Sequence, residues 1–155
     1  MKLERQALSI ETLSSLSVTY ARFDQPGRAR SEIYPPPQIL VVAFSGSYGY
    51  GSSGYSDALY MRAMIEAGLA AFRPSGLIID LSEFEYEWGD DIDYGLEVSL
   101  DDTPEPPTVI GPKCHDGLKS LFRGFNSSEE LIDNRNYFAN LADAVSYLAA
   151  IVIKT

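Results

Sequence analysis

Two short, continuous apolar runs constrain the fold more than any other feature of this chain. The first run, "ILVVAF", covers residues 39–44, and the second, "GLIIDL", covers residues 76–81. An apolar, β-branched run of this length is typical of a strand that is covered on both faces. The residues between the runs predict a helix that ends at about Phe72, before Pro74. Strand, helix and strand in this order predict a right-handed crossover and parallel pairing of the two strands.

The later part of the chain continues the alternation of helices and strands. We predict a short helix near 90–99, a strand at 107–111, a helix over "HDGLKSLFRGF", a short strand within "NRNYFAN" and a closing helix capped by Asn140. The apolar stripes of the last two helices are Leu118, Leu121, Phe122 and Phe125, then Leu141, Ala144, Val145, Leu148 and Ala149. The predicted fold class is therefore α/β, a small mixed sheet with a largely parallel core and helices packed on it.

The N-terminal part predicts two further strands. "ALSIETL" and "LSVTYARF" alternate imperfectly between apolar and polar residues, with a turn near Ser14. Residues 24–38 form a polar, proline-rich connector, since three consecutive prolines fit neither a helix nor a central strand. A length of 155 residues predicts one domain, 1–155, with this connector after an N-terminal strand pair.

The net charge of −10 limits the partners of this chain. Nucleic acids and anionic membranes would repel such a surface, so we expect neither as a partner. The apolar runs are far too short to span a bilayer, and the N-terminus lacks the apolar region of a signal peptide. The single cysteine, Cys114, forms no internal disulfide and agrees with a reducing compartment. We therefore expect a cytoplasmic protein.

Half of the 22 acidic residues lie between Pro74 and Pro112, a stretch that contains no lysine or arginine. Such a run serves either as a solvated face or as a docking surface for a basic partner. The docking interpretation uses the acidic segment 83–102, with aromatic anchors among its carboxylates. Its candidate partner-binding residues are Tyr86, Trp88, Asp90, Asp91, Asp93 and Tyr94.

The stretch "SGSYGYGSSGYSD", residues 45–57, contains the dinucleotide-binding pattern G-x-G-x-x-G at Gly49, Gly51 and Gly54. It follows a predicted strand and opens a predicted helix, and Asp80 ends the next strand, where a ribose-binding acid belongs. However, four residues separate the strand from the first glycine, and Ser52 stands where a Walker motif needs lysine.

The same loop has two other interpretations. It serves as a flexible strand-to-helix connection, or it contacts a partner protein through its tyrosines. In the second case Tyr48, Tyr50 and Tyr55 are the interface anchors.

No catalytic constellation is evident, so the sequence favours a protein that is not an enzyme. Cys114 and His115 are adjacent, and adjacent residues point in different directions, which does not suit a nucleophile and its base. The segment "GDDID" fails the EF-hand spacing, and one histidine and one cysteine cannot build a standard zinc site. We therefore predict no metal site and no cofactor.

The segments "GLIIDLSEFEYEWGDD", "PTVIGPKCHDGLKSLF" and "YFANLADAVSYLAA", in this order, resemble the STAS family of anti-sigma-factor antagonists. The resemblance covers about residues 39–150 and rests on Asp80, Leu81 and Ser82, and on pattern elsewhere. It implies a STAS-like α/β fold and a role in binding proteins rather than in catalysis. Where the family has a phosphorylatable serine, this chain has "GDDIDYG", so a standing negative charge at Asp90 or Asp91 is an alternative device.

Three functional hypotheses follow. The preferred one is a non-enzymatic, regulatory protein-binding module that uses the acidic surface at 83–102. One alternative is a small-molecule, nucleotide or coenzyme-binding protein, or an enzyme, built around the glycine-rich loop 46–54. The other is an acidic, immunity-type neutraliser of a basic toxin. The partner is expected to be another protein with a basic surface, and a homo-oligomer remains open.

Overall fold

The computed structural model describes residues 1–25, 37–97, 105–123 and 136–153. Its strands are β1 (Ser17–Asp24), β2 (Gln38–Ser47), β3 (Gly76–Glu85), β4 (Thr108–Ile110) and β5 (Tyr137–Phe138). Its helices are α1 (Gly54–Phe72), α2 (Ile92–Leu96), α3 (His115–Arg123) and α4 (Leu141–Val152). The strands form one sheet in the order β1-β2-β3-β4-β5, in which β1 is antiparallel to β2 and all other neighbours are parallel. The predicted mixed α/β fold is confirmed.

The parallel unit of β2, α1 and β3 is the centre of the sheet. Both strands extend beyond the apolar runs that predicted them, because the polar residues that follow still pair as far as Ser47 and Glu85. Helix α1 begins at Gly54 and ends at Phe72, as predicted, and the left-handed backbone of Arg73 (φ 47°) closes the last turn. The extra length of the strands determines where the loops after them lie.

A bulge in β3 sets which side chains face the core. Ala43 pairs with Asp80 and Ser45 pairs with Glu83, so two residues of β3 lie opposite one residue of β2. As a result Leu81 and Phe84, three residues apart, are both buried in the same core cluster. Without the extra residue, the strict alternation of a strand would place Phe84 on the opposite face.

The order of the parallel strands explains how the helices are distributed. Each connection from β2 to β5 moves to the next strand in one direction, so right-handed crossovers place α1, α2 and α3 on one face. Met61, Ile92 and Leu118, one from each helix, share the larger core cluster. Helix α4 covers the other face, where Ala144 and Leu148 pack with the alternate residues of β2, β3 and β4.

The N-terminal region corrects one prediction. The segment "ALSIETL" is not a strand, since residues Ile10–Leu13 form an exposed 3-10 turn. Strand β1 is present, but its partner is β2 and not an N-terminal neighbour. Because β1 is an edge strand it is mostly exposed, and Tyr20 attaches it to α1 by donating a hydrogen bond to the Met64 carbonyl at 2.6 Å. Most of the predicted connector, residues 26–36, lies outside the described residues.

The later helices agree with their predicted positions. The Asn140 side chain accepts a hydrogen bond from the Asp143 N–H at 2.9 Å, as expected for an N-cap. In α3, Leu118 is buried but Leu121 is exposed, so the predicted stripe is wrong at Leu121. The side chain of Phe122 and all of Phe125 lie outside the described part of the chain. Within the described ranges, no helix is both apolar enough and long enough to cross a bilayer.

Candidate functional site

The candidate site lies at the carboxyl ends of β2 and β3, where two loops leave the sheet. The first loop, 48–53, leads into α1, and the second, 86–91, leads into α2. Two backbone hydrogen bonds tie them together: Tyr48 N–H to the Glu85 carbonyl at 2.9 Å, and Asp90 N–H to the Gly51 carbonyl at 2.8 Å. Ligands of open α/β sheets bind at this edge.

Two of the predicted anchors, Tyr48 and Tyr86, are buried. They are 3% and 4% exposed, and their rings meet edge to face with centroids 5.4 Å apart. The Tyr48 hydroxyl donates to the Asp90 carbonyl at 2.5 Å, and the Tyr86 hydroxyl donates to the Gly89 carbonyl at 3.1 Å. Burial raises the pKa of both phenols, and nearby aspartates raise it further. The expectation that these two tyrosines are exposed anchors is wrong, because both are part of the core.

The glycines of both loops allow this close packing. A Cβ on Gly54 would lie 2.3 Å from the Tyr48 ring, and a Cβ on Gly89 would lie 2.2 Å from the Gly49 carbonyl oxygen. No real side chain tolerates such distances, so these positions need glycine for space. Packing alone therefore explains why residue 54 is glycine, without a bound nucleotide. We call Tyr48, Gly54, Asp57, Tyr86 and Gly89 the inner layer.

Asp57 places a carboxylate against the backbone of the glycine-rich loop. This carboxylate, 6% exposed, accepts a hydrogen bond from the Gly49 N–H at 2.7 Å and another from the Ser14 hydroxyl. The N–H groups of Ser53 and Gly54 are also taken, by carbonyls of the 50–52 turn. A phosphate site needs free N–H groups and no anion of its own. The geometry of the loop does not support the dinucleotide interpretation.

Asp80, predicted as the ribose-binding acid, lies away from the loop. Strand β3 continues five residues beyond it to Glu85, which at about 3.3 Å per residue places Asp80 roughly 16 Å from the edge. Its carboxylate accepts a hydrogen bond from the Ser82 N–H at 2.9 Å. The structure therefore does not bring Asp80 together with Gly49, Gly51 and Gly54.

Tyr50 and Trp88 form an exposed aromatic stack, one ring from each loop. Their centroids are 5.9 Å apart with an interplanar angle of 23°, although the side chains are 56% and 60% exposed. Gly51 has φ of +54°, and a Cβ there would come within 3.2 Å of the Trp88 ring, so this glycine makes room for the stack. We call Tyr50 and Trp88 the outer layer. Tyr55, on the first turn of α1, is exposed but outside the stack.

Two clefts border the outer layer. One, of about 340 Å³, is lined by Ser47, Tyr48, Tyr50, Glu85, Tyr86, Glu87 and Lys113. The other, of about 480 Å³, is lined by Tyr86, Glu87, Trp88, Pro112, Lys113, Asp116, Gly117 and Ser120. Tyr86, Glu87 and Lys113 line both clefts. Tyr50 lies at the first cleft and Trp88 at the second, so a single partner can contact both aromatic rings and both clefts.

Lys113 and Glu85 form an ion pair at the first cleft. The Lys113 ammonium lies 3.1 Å from a Glu85 carboxylate oxygen, and the Ser47 hydroxyl donates to the other oxygen. The Ser47 hydrogen bond and the Lys113 charge lower the pKa of Glu85. Sequence reasoning missed Lys113. Its position in the sequence could have indicated its importance, because it is the first cation after the long acidic stretch.

The predicted acidic residues follow Trp88 along the chain, in the second loop and the first turn of α2. Asp90, Asp91 and Asp93 are exposed, and Asp91 adopts a left-handed backbone (φ 67°) as the residue that precedes α2. Tyr94 is partly covered, because the Arg62 guanidinium lies 4.3 Å from its ring centroid. The carboxylates are therefore presented to solvent, whereas Tyr94 already has a cationic neighbour.

Cys114 has the environment of a structural cysteine. It is fully buried, and its thiol points toward the carbonyls of Leu81 at 3.5 Å and Gly111 at 3.6 Å. Burial raises the pKa of this thiol to about 11. A nucleophilic cysteine needs the thiolate at neutral pH. Cys114 is thus unsuited to nucleophilic catalysis.

The comparisons with known proteins give one likeness. No protein-family model and no curated protein matches this chain. Among solved structures it is similar to the crystal structure of an anti-sigma factor antagonist from Mycobacterium paratuberculosis. The sequence identity is 22%, the similarity covers 85% of this chain and 94% of that chain, and the TM-score is 0.47.

Proposed function

We propose that this chain is a non-enzymatic, regulatory module that binds a partner protein through the outer layer and the clefts beside it. The observation that carries the proposal is the exposed stack of Tyr50 and Trp88. Large aromatic side chains that stay exposed next to clefts are common anchors of protein interfaces. The sequence resemblance to anti-sigma-factor antagonists supports the same class of function.

The surroundings of the stack favour a basic partner. Glu87 and Asp116 line the clefts, and Asp90 and Asp91 are exposed on the adjoining loop. Lys113, a cation that lines both clefts, already pairs with Glu85. A lysine-rich or arginine-rich segment would gain charge complementarity here, which speeds association and selects the partner. The immunity-type neutraliser is a narrower version of this hypothesis, in which the basic partner is a toxin.

The nucleotide or coenzyme hypothesis for loop 46–54 has less support. The N–H groups of Gly49, Ser53 and Gly54 already have acceptors within the protein, and the Asp57 carboxylate would repel a phosphate. Thermal unfolding with nucleotides and coenzyme A derivatives tests this hypothesis. We expect no shift, whereas binding at 100 times the dissociation constant would add about 2.7 kcal/mol of stability.

Affinity capture tests the proposal. Wild-type protein, Trp88→Ala and Tyr55→Ala are immobilised and incubated with lysate of the native host, and the bound proteins are quantified by mass spectrometry. Tyr55→Ala is the matched control, since it also removes an exposed aromatic ring. We expect a set of proteins that Trp88→Ala loses and Tyr55→Ala retains. Equal capture by all three would contradict a role for the outer layer.

Charge reversal tests the choice of a basic partner. For a captured protein, Asp90→Lys with Asp91→Lys should lower the association rate, and the wild-type rate should fall as salt rises. If the association rate depends neither on the charge reversal nor on the salt concentration, the chain still binds the partner, but the acidic surface is not the cause of binding.

A further inference from the structure

Residues 1–9 lie outside every helix and strand of the fold, and we call them the arm. Every residue of the arm is exposed, and the side chains of Leu3 and Leu8 are 84% and 93% exposed. The turn Ile10–Leu13 adds two more exposed aliphatic side chains. Beyond this turn, the described part of the chain exposes one other large aliphatic side chain, Leu121. Uncovered aliphatic side chains that are concentrated in one segment are typical of a protein-interaction site.

The cations of the arm are uncovered as well. Lys2 and Arg5 form no ion pair with any described residue, whereas Arg22, Arg62 and Lys113 each pair with a carboxylate of the same chain. The arm holds two cations and one carboxylate, so it is positive in a chain whose net charge is −10. It therefore offers both apolar and positive groups to another molecule.

The base of the arm is fixed at the same edge of the sheet as the candidate site. The Ser14 hydroxyl donates to the Asp57 carboxylate, which also accepts from the Gly49 N–H of the first loop at 2.7 Å. Leu16, two residues further on, is buried in the core. Nine extended residues span up to about 30 Å. An arm that starts here can therefore reach the loops of a second molecule.

The larger cleft beside the outer layer has the complementary chemistry. Trp88 contributes an exposed aromatic ring, and Glu87 and Asp116 contribute carboxylates. The Glu87 carboxylate forms no ion pair with any described residue. An arginine guanidinium can both stack on a tryptophan ring and pair with a carboxylate, and aliphatic side chains pack against aromatic rings. The arm is exposed to solvent and does not line this cleft in its own chain.

We propose that the arm of one molecule docks in this cleft of a second copy of the chain, in a reciprocal two-fold exchange. The aliphatic side chains of the arm then cover the Trp88 ring, and Arg5 pairs with Glu87. The dimer is weak, because a nine-residue arm buries a small area and two chains of net charge −10 repel each other. The inference rests on the proposed function, since it makes the second copy a competitor for the surface that the partner protein uses.

Sedimentation equilibrium of the full chain tests the proposal without any partner protein. Between about 10 μM and about 1 mM, a range that covers weak association, the average mass should rise from monomer toward dimer. The emission of Trp88 should move to shorter wavelength over the same range, because the arm covers the ring. A monomer at every concentration would overturn the proposal. A blue-shifted emission that is independent of concentration would also overturn it, since the arm would then cover its own chain.

Substitutions in the arm test which of its groups dock. Leu8→Ser should weaken dimerisation about a hundredfold, because two leucine side chains are uncovered per dimer. Arg5→Glu should weaken it about tenfold, because two exposed charge pairs are lost. Arg73→Glu is the matched control, since it changes the net charge equally at the far end of α1, and it should dimerise like the wild type. Equal dimerisation by Arg5→Glu and Arg73→Glu would contradict the docking of the arm.

A mixture of two charge-reversed variants tests whether the arm docks on a second copy. Arg5→Glu alone and Glu87→Arg alone should each dimerise poorly, because like charges meet at both arms. An equimolar mixture should dimerise like the wild type, since each arm then meets an opposite charge. A mixture that dimerises as poorly as its two components would overturn the exchange.

Partner capture distinguishes a failure of this inference from a failure of the proposed function. If Trp88→Ala loses captured proteins but the wild type stays monomeric, the exchange alone is wrong. If the charge-reversed mixture dimerises but Trp88→Ala captures the same proteins as the wild type, the proposed function alone is wrong. If both are right, Leu8→Ser should capture at least as much partner protein as the wild type, because the surface is no longer covered by a second copy.

Discussion

Tyr48 and Tyr50 are two residues apart in one loop, yet one ring is buried in the core and the other is exposed. The inner layer around Tyr48 fills the space between the loops and joins their backbones. The outer layer of Tyr50 and Trp88 rests on this base and contributes little buried area of its own. The difference teaches that, within one pair of loops, some aromatic rings stabilise the fold while others stay exposed for the proposed partner. Substitutions in the inner layer should therefore lower the stability of the fold, and substitutions in the outer layer should lower partner binding.

The largest expected effect is on stability, from Gly89→Ala in the inner layer. The added methyl group would lie 2.2 Å from a backbone oxygen of the other loop, so the two loops must separate. We expect a loss of about 3 kcal/mol in the free energy of unfolding, measured with urea. Ser52→Ala, at an exposed position of the first loop, is the control and should change it by less than about 0.5 kcal/mol. A Gly89→Ala variant as stable as this control would contradict the close packing of the layer.

Cys114 provides a chemical probe of the core beneath the loops. The raised pKa, to about 11, leaves little thiolate near pH 8, and the side chain is fully buried. We expect the native thiol to react with a disulfide reagent about two orders of magnitude more slowly than the thiol of the urea-unfolded chain. Similar native and unfolded rates would mean that the region opens readily.

Asp57 tests how firmly the inner layer is tied to the N-terminal segment. Asp57→Ala leaves the Gly49 N–H and the Ser14 hydroxyl without their acceptor, which should cost about 2 kcal/mol of stability. Asp57→Asn is the matched variant, because its amide oxygen can still accept from Gly49, and it should cost less. If the two substitutions cost the same, the hydrogen bond to Gly49 is not the source of the effect.

The smallest effect concerns the Glu85 carboxylate at the first cleft. Its folded pKa lies below the usual value of 4.5, so it stabilises the fold above that value and loses this contribution as the pH falls through the folded pKa. Glu85→Gln should therefore reduce the difference in stability between pH 6 and pH 3, about the range in which carboxylates titrate. An unchanged pH profile would show that Ser47 and Lys113 do not favour the charged form.

The parts of the fold that depend on local sequence were predictable. The β2, α1 and β3 unit follows from two apolar runs and the helical pattern between them, and the Asn140 cap follows from a single residue type. Both signals are contained within a few neighbouring residues. The prediction of a strand over "ALSIETL" is wrong because a local apolar pattern does not determine which segment pairs with β1. The neighbour of β1 in the sheet is β2.

The candidate site was predictable only in part. The sequence pointed to Trp88 and Tyr50, which are exposed, but it treated Tyr48 and Tyr86 in the same way. Tyr48 and Tyr86 are buried because two loops far apart in sequence pack closely, and the β3 bulge sets which face Phe84 and the residues after it present. The link between Lys113 and Glu85 likewise depends on the pairing of distant segments. No local pattern encodes these contacts.

Fluorescence of Trp88, the single tryptophan, tests the central claim most directly. In the free protein, acrylamide should quench it nearly as well as in the unfolded chain, while urea unfolding confirms that the fold is intact. Addition of a captured partner should protect Trp88 from the quencher, and Tyr55→Ala should give the same protection. A partner that binds this chain and leaves the quenching of Trp88 unchanged would contradict the outer layer as the binding surface.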